Sequence, residues 1–368
     1  MSARVWSILG LAVVAVLGIA VTIAVPRLAA LDTMLDLTVY LIMAILALSL
    51  GLVWGYGGIL CFGQSAFFGL GAYTYAIAMF NIGESTAPFL LAIALPAGFA
   101  ALLGYFMFYG RISDVYLGVI TLTVTLILFN SVNSTAGPEY HIGVARLGGF
   151  NGIPAIPPLN RPGDARAALD PDDMFRLATI MLLATYFGLR WLLVGRFGRV
   201  IVGIRENERR AELLGYDPRA YKLGVFTIGG ALAGLAGCLF ANWGAFVSPN
   251  VFGLAQSAQI IIWVIVGGRG TLIGPILGCI GIQWLTAALG ASQLDKSGLF
   301  VGLKATIAQA FGPGVADGVA SVLGTLDVNN PSLILGAILL AFVLLVPKGL
   351  VPTIAEGGKR LVVGGPRG

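Results

Sequence analysis

Two runs constrain this chain more than any other feature: residues 37–83 hold no charge over 47 positions, and residues 223–268 hold none over 46. Soluble domains carry about one charged residue in four, so a water-soluble fold does not supply such runs. A helix needs about 20 apolar residues to cross a hydrocarbon core roughly 30 Å thick. Each run is therefore long enough for two crossings. Of 368 residues, 22 are basic and 17 acidic, 58% are hydrophobic, and the mean hydropathy is +0.92. A globule of this size keeps much of its surface wet. The composition excludes a soluble enzyme, a disordered chain and a nucleic-acid binder. The 52 glycines, about double the usual share and without a collagen period, suit closely packed membrane helices.

The remaining charge-poor intervals complete the expected count. Residues 6–26, 85–110, 115–138, 173–194, 271–294 and 328–347 hold one crossing each, which makes ten in all. The first has Arg4 before it, as a signal peptide would. Its apolar run of about 20 residues exceeds the 7–15 of such a core, so a retained helix is expected. Orientation follows from lysine and arginine. With the N-terminus inside, 15 basic residues face the cytoplasm and 7 face out; the opposite placement inverts that bias. The expectation is an all-α, polytopic transmembrane helical bundle forming one domain over 1–368, with about ten spans, N-in and C-in.

Two outer segments are long. Residues 139–172 contain five prolines and a GGFNG run, which reads as an ordered but irregular surface loop. Residues 293–330 include 297–310, where apolar residues recur at helical spacing around Lys304. That pattern suggests an interfacial helix, ended or bent by Pro313. The cysteines Cys61, Cys238 and Cys279 lie far apart in apolar surroundings, and His141 is the single histidine. No metal-ligand spacing, phosphate loop or nucleophile–base pair follows from these residues, so no catalytic, cofactor or metal site is expected.

The inner segment 196–222 breaks the greasy pattern. Between Arg190 and Lys222 stand eight basic and four acidic residues. Residues 205–214 are rich in helix formers, Gly215 provides a C-terminal stop, and Asp217-Pro218 opens the next helix as cap and first residue. A solvated loop obeying the positive-inside rule would need neither this helicity nor this punctuation. A rigid charged knob suits docking to a cytosolic partner.

Several stretches resemble the branched-chain amino acid permease family of ABC importers. They are GRFGRVIVGIRENE at 195–208, LGYDPRAYKL at 214–223, GGALAGLAG at 229–237, WVIVGGRGTLIGP at 263–275 and GQSAFFGLGAY at 63–73. The likeness is to the LivM-type subunit, with the urea permease subunit a close relative. The knob is similar to the coupling loop of importer permeases through Glu208, Ala211 and Gly215, although Arg209 and Arg210 stand where alanine is the pattern. The resemblance implies a membrane half-pore paired with a second, LivH-type permease subunit, two cytosolic ABC ATPase subunits and a periplasmic substrate-binding protein. It places the chain in a bacterial inner membrane, with ATP bound by the partners. Arg205, Glu206, Glu208, Arg209, Arg210, Ala211, Glu212 and Gly215 would then form the ATPase-coupling face.

Other residues stand out inside the spans. Gly63/Gly69/Gly71, Gly230/Gly234/Gly237 and Gly274/Gly278/Gly281 have spacings that permit close helix crossings or broken helices along a path. Arg269 sits among Gly267, Gly268 and Gly270, where a helix break near the inner surface is expected, either as part of an inner gate or as a snorkelling anchor. Polar span residues serve as interhelical glue or as lining; Gln64, Ser65, Tyr73, Thr121, Thr125, Gln259 and Arg269 are the candidates for pathway or gate. Thr121, Thr123 and Thr125 cannot share one helical face. No acidic or basic residue lies at mid-membrane depth, unlike the usual proton- or sodium-driven carrier. The expected function is an ATP-driven importer permease for branched-chain or other hydrophobic amino acids. A urea or short-amide importer and a self-sufficient carrier or channel are the rivals.

Overall fold

The computed structural model describes residues 3–161 and 164–291. Its elements are α1 (Ala3–Leu28), α2 (Leu31–Leu50), α3 (Gln64–Ile82), α4 (Thr86–Tyr109), α5 (Asp114–Asn133), β1 (His141–Ile142), β2 (Ala145–Arg146), β3 (Asn160–Arg161), β4 (Asp164–Ala168), α6 (Pro171–Val194), α7 (Arg196–Glu206), α8 (Glu208–Leu213), α9 (Pro218–Gly244), α10 (Leu254–Gly267) and α11 (Ile273–Ala291). α2 runs on into a π-helical turn, Gly51–Tyr56. The chain divides into two units at 279/280, inside α11; the second is described only as the end of that helix.

Among the described residues, six helices are long and apolar enough to cross a bilayer: Leu31–Tyr56, Gln64–Ile82, Thr86–Tyr109, Val115–Asn133, Pro171–Val194 and Pro218–Gly244. Val14–Leu28, Leu254–Gly267 and Ile273–Ala287 are shorter apolar stretches. Nine of the expected crossings thus coincide with helices, six at full length. The tenth, at 328–347, and the interfacial helix at 297–310 lie outside the described residues.

The core of the first unit is built on α3, α4 and α9, which pack together most extensively. Glycine makes this possible. A Cβ at Gly71 would overlap the Gly234 backbone, and one at Gly237 would overlap the Phe68 carbonyl. Pro96 of α4 fits the space that a side chain at Gly234 would need. Phe67 meets Phe226 edge-on at 5.4 Å, and Phe226 meets Phe108 at 5.8 Å. Backbones that approach this closely gain van der Waals contact where lipid offers no hydrophobic driving force.

Two connections between helices are irregular and packed into the protein. Between the π turn and α3, residues 57–63 run without helix or strand. Gly58 lies against Arg205, whereas Gly63 lies against Thr121, the eighth residue of α5. The segment therefore runs beside α5, with Leu60 and Phe62 both against Gly118. The second follows Gly244. Val247 pairs with Ile153, a 3-10 turn covers Pro249–Phe252, and Phe252 stacks on Tyr73 in the middle of α3. α10 thus starts part-way down α3, and its 14 residues span about 21 Å, less than a hydrocarbon core.

The expected surface loop 139–172 is ordered and more buried than anticipated. It forms two small antiparallel hairpins and inserts Ile153, Ile156 and Leu159 into the protein. Tyr75 donates to the Pro157 carbonyl, Asn81 to that of Ile142, and Ser85 to that of Asn160. The loop closes the end of the bundle opposite α7 and α8.

Close packing makes a sharp prediction. Gly237→Leu should cost more than about 2 kcal/mol by overpacking and lower the melting temperature in detergent, followed by tryptophan fluorescence. Gly188→Ala, with nothing within 4 Å, should hold it or raise it by up to about 1 kcal/mol.

Candidate functional site

The charged segment after α6 folds as two helices rather than the single one anticipated over 205–214. Gly195 leaves α6 in extended conformation, and α7 turns back so that Gly198, Ile201 and Ile204 are buried. α7 stops at Glu206. Asn207 is extended, with φ −159°, and its side-chain oxygen accepts from the Arg210 N–H at 2.9 Å. An asparagine that can cap a new helix competes with continuation of the old one. α8 follows, and Gly215, at φ +86°, supplies the left-handed turn that other residues rarely adopt. Asp217 accepts from the Arg219 N–H at 3.1 Å, and Pro218 is the first residue of α9, as expected.

This elbow is braced from both sides. Lys222 Nζ lies 2.6 Å from Glu208 Oε2, tying α8 to α9. Ala211 is buried, whereas Arg209, Arg210, Glu212, Leu213 and Leu214 are exposed. Leu213 and Leu214 are 84% and 71% exposed, an apolar tip on a charged helix. Arg205 departs from the expected outward role. Its guanidinium donates to the Gly55 carbonyl at the end of the π turn and pairs with Glu206. Its stem packs where a Cβ at Gly58 would stand, and its Nη1 lies near Gly270.

The break expected at residues 267–270 is present. α10 ends at Gly267, and Gly268 and Gly270 have φ of +107° and +83°. Arg269 is exposed and stands 4.7 Å from the centre of the Trp54 ring, within cation–π range. The Gly55 backbone passes close to the Gly270 nitrogen. The end of α2, the end of α7 and the α10–α11 turn therefore meet at one junction, with Arg205 bonded across it. π-helical turns concentrate at sites that move.

Most of the expected pathway or gate residues are buried within the chain. Gln64 Nε2 donates to Ser49 Oγ at 2.8 Å and to the Gly229 carbonyl at 3.1 Å. Ser65 hydrogen-bonds Ser257. Thr121 accepts from the Phe62 N–H at 3.2 Å and donates to the Gly118 carbonyl, while Thr125 donates to the Thr121 carbonyl. All four are buried within the chain, and the Thr121 hydroxyl pairs an N–H of the irregular segment before α3. Tyr73 is buried too, and its hydroxyl has no partner among the described residues. Thr123 is on the exposed face of α5, as its spacing requires. Gln259 is exposed on the short helix α10. Sequence reasoning missed Ser49, Ser257 and Trp54, which carry no motif and acquire roles only through their neighbours.

A chain with a glycine-packed bundle, two irregular connections packed into it and a braced charged elbow at one end has the architecture of a transport permease. The chain belongs to the family described as the branched-chain amino acid transport system / permease component, matched over residues 34–343. It is 33% identical over 271 residues to the high-affinity branched-chain amino acid transport system permease protein LivM of Escherichia coli K12, covering 66% of this chain and 60% of that protein. LivM of Salmonella typhimurium is 32% identical over the same shares. The autoinducer 2 import system permease protein LsrC of Photorhabdus laumondii is 27% identical over 136 residues, 32% of this chain and 40% of LsrC. No solved structure matches the chain.

The polar ties between helices are individually modest. Gln64→Leu removes the donor to Ser49 and Gly229 and should cost about 1–2 kcal/mol. Ser257→Ala should cost under about 1 kcal/mol. Both are checked as melting shifts of the purified protein.

Proposed function

We propose that this chain is the membrane-spanning permease subunit of an ATP-driven ABC importer for branched-chain or other hydrophobic amino acids. The family match, continuous from residue 34 to 343, carries this reading. The likeness to the two LivM proteins supports the substrate class, although the matched region is only 60% of their length. The chain forms one membrane domain over 1–368, with ten crossings and both termini in the cytoplasm of a bacterial inner-membrane protein. The basic residues support that orientation, and so does the elbow's place at the end opposite loop 139–172. The partners are a second, LivH-type permease subunit, two ABC ATPase subunits and a periplasmic substrate-binding protein. This chain is the non-catalytic half-pore, and its outer segment 139–172 faces the binding protein.

The coupling residues are those of the elbow. Arg209, Arg210 and Glu212, with Ala211 at their base and the turn at Gly215, form the docking tip. Glu208 braces it through Lys222, and Glu206 holds Arg205. Arg205 is the inward link. When ATP closes the ATPases, the tip moves, and Arg205 carries the displacement to Gly55 and the turn bearing Arg269. A bistable break is a means of converting that push into alternating access. Gln259 and Arg269 are the pathway and gate residues that solute can reach. Gln64, Ser65, Tyr73, Thr121 and Thr125 support the path from behind.

Reconstitution tests this directly. Liposomes holding the four-component complex should accumulate leucine only with ATP and the binding protein; accumulation by this chain alone overturns the proposal. Arg209→Glu with Arg210→Glu should leave the protein inserted while transport per ATP hydrolysed falls at least tenfold. Arg205→Gln should also lower transport per ATP, with the ATPases still bound.

A further inference from the structure

The elbow is also a cleft. One face of α7 opposes one face of α8 around a cavity of about 600 Å³, lined by Arg196, Arg199 and Arg210, by Val200, and by Tyr216 and Tyr221. No carboxylate lines it, and the three arginines have no ion-pair partner among the described residues. Three of the segment's four acids are otherwise engaged, Glu206 with Arg205, Glu208 with Lys222 and Asp217 as a helix cap, and the fourth, Glu212, does not line the cleft. Three guanidinium groups around one cavity repel each other and present a surplus of planar donors that matches carboxylates in a bidentate manner.

The direction of the cleft identifies its occupant. Arg196, Arg199 and Val200 lie on the side of α7 opposite to Gly198, Ile201 and Ile204, which pack on the bundle. The cleft therefore opens away from the membrane-embedded core. Its tyrosines and Val200 offer an apolar wall to the stem of an acidic side chain. We propose that this cleft receives an Asp- or Glu-bearing segment of the ATPase subunit, held by Arg196, Arg199 and Arg210. The assignment rests on the importer reading and adds α7 to the docking surface, which the exposed tip of α8 alone does not define.

The experiment uses the complex purified from its host through a tag on this chain. Carbodiimide joins amines to carboxylates in direct contact, so R199K and R210K should each cross-link to an Asp or Glu of the ATPase, mapped by mass spectrometry. R196Q/R199Q should retain at least tenfold less ATPase and weaken the salt dependence of its retention, with membrane insertion unchanged. Cross-links only to this chain's own acids, or full ATPase retention by R196Q/R199Q, overturn the cleft assignment and leave the importer reading standing. Loss of bound phosphatidylglycerol from R196Q/R199Q in native mass spectra, with the ATPase retained, makes the cleft a lipid site and overturns it as well. If the wild-type chain brings down no ATPase, both readings fall.

Discussion

Inside a bilayer a backbone N–H or C=O has no water to turn to, and each one left unpaired costs several kcal/mol. The two irregular connections are shaped by that requirement. In the first, the Phe62 N–H finds the Thr121 hydroxyl, and the Ile59 N–H finds the Val53 carbonyl. In the second, Val247 and Ile153 exchange both of their backbone bonds, and the Ala245 carbonyl accepts from Ile156. The irregular backbone is thus paired with protein throughout these contacts. Gln64, Ser65 and Thr121 are polar because a neighbouring strand of backbone or hydroxyl needs them.

The same requirement links the interior to the elbow. A continuous α2 would end in a rigid helix; instead it ends in a π turn whose Gly55 carbonyl accepts from Arg205. Glycines at 55, 58 and 270 let the end of α2 and the α10–α11 turn come close to Arg205. Arg269 closes the junction over Trp54. Arg205 is bonded and Arg269 is exposed at this end of the protein, in keeping with the cost of burying an unpaired charge.

How much of this was legible beforehand varies with the range of the interaction. The apolar runs located the helices because the length needed to cross a bilayer is a local property of the sequence. Asp217-Pro218 and Gly215 marked their turns correctly because capping and left-handed turns depend on one or two residues. The break at Asn207 was missed, since the helix-forming residues around it outweighed one capping side chain. The bond of Arg205 to Gly55 was not foreseen for a different reason: its acceptor lies 150 positions away. The threonine spacing in α5 separated Thr123 from its neighbours, but could not show that Thr121 and Thr125 face another segment of the chain.

Composition and periodicity alone determined that this chain lives in a membrane as packed helices, with a charged element at one end. These follow from solvent: water, lipid and headgroups each sort residues by kind. Tertiary structure decided which polar residues serve as struts and which remain accessible, and it set three arginines around one cleft. Those outcomes depend on which helices become neighbours, and close approach through glycine, rather than any local preference, selects the neighbours.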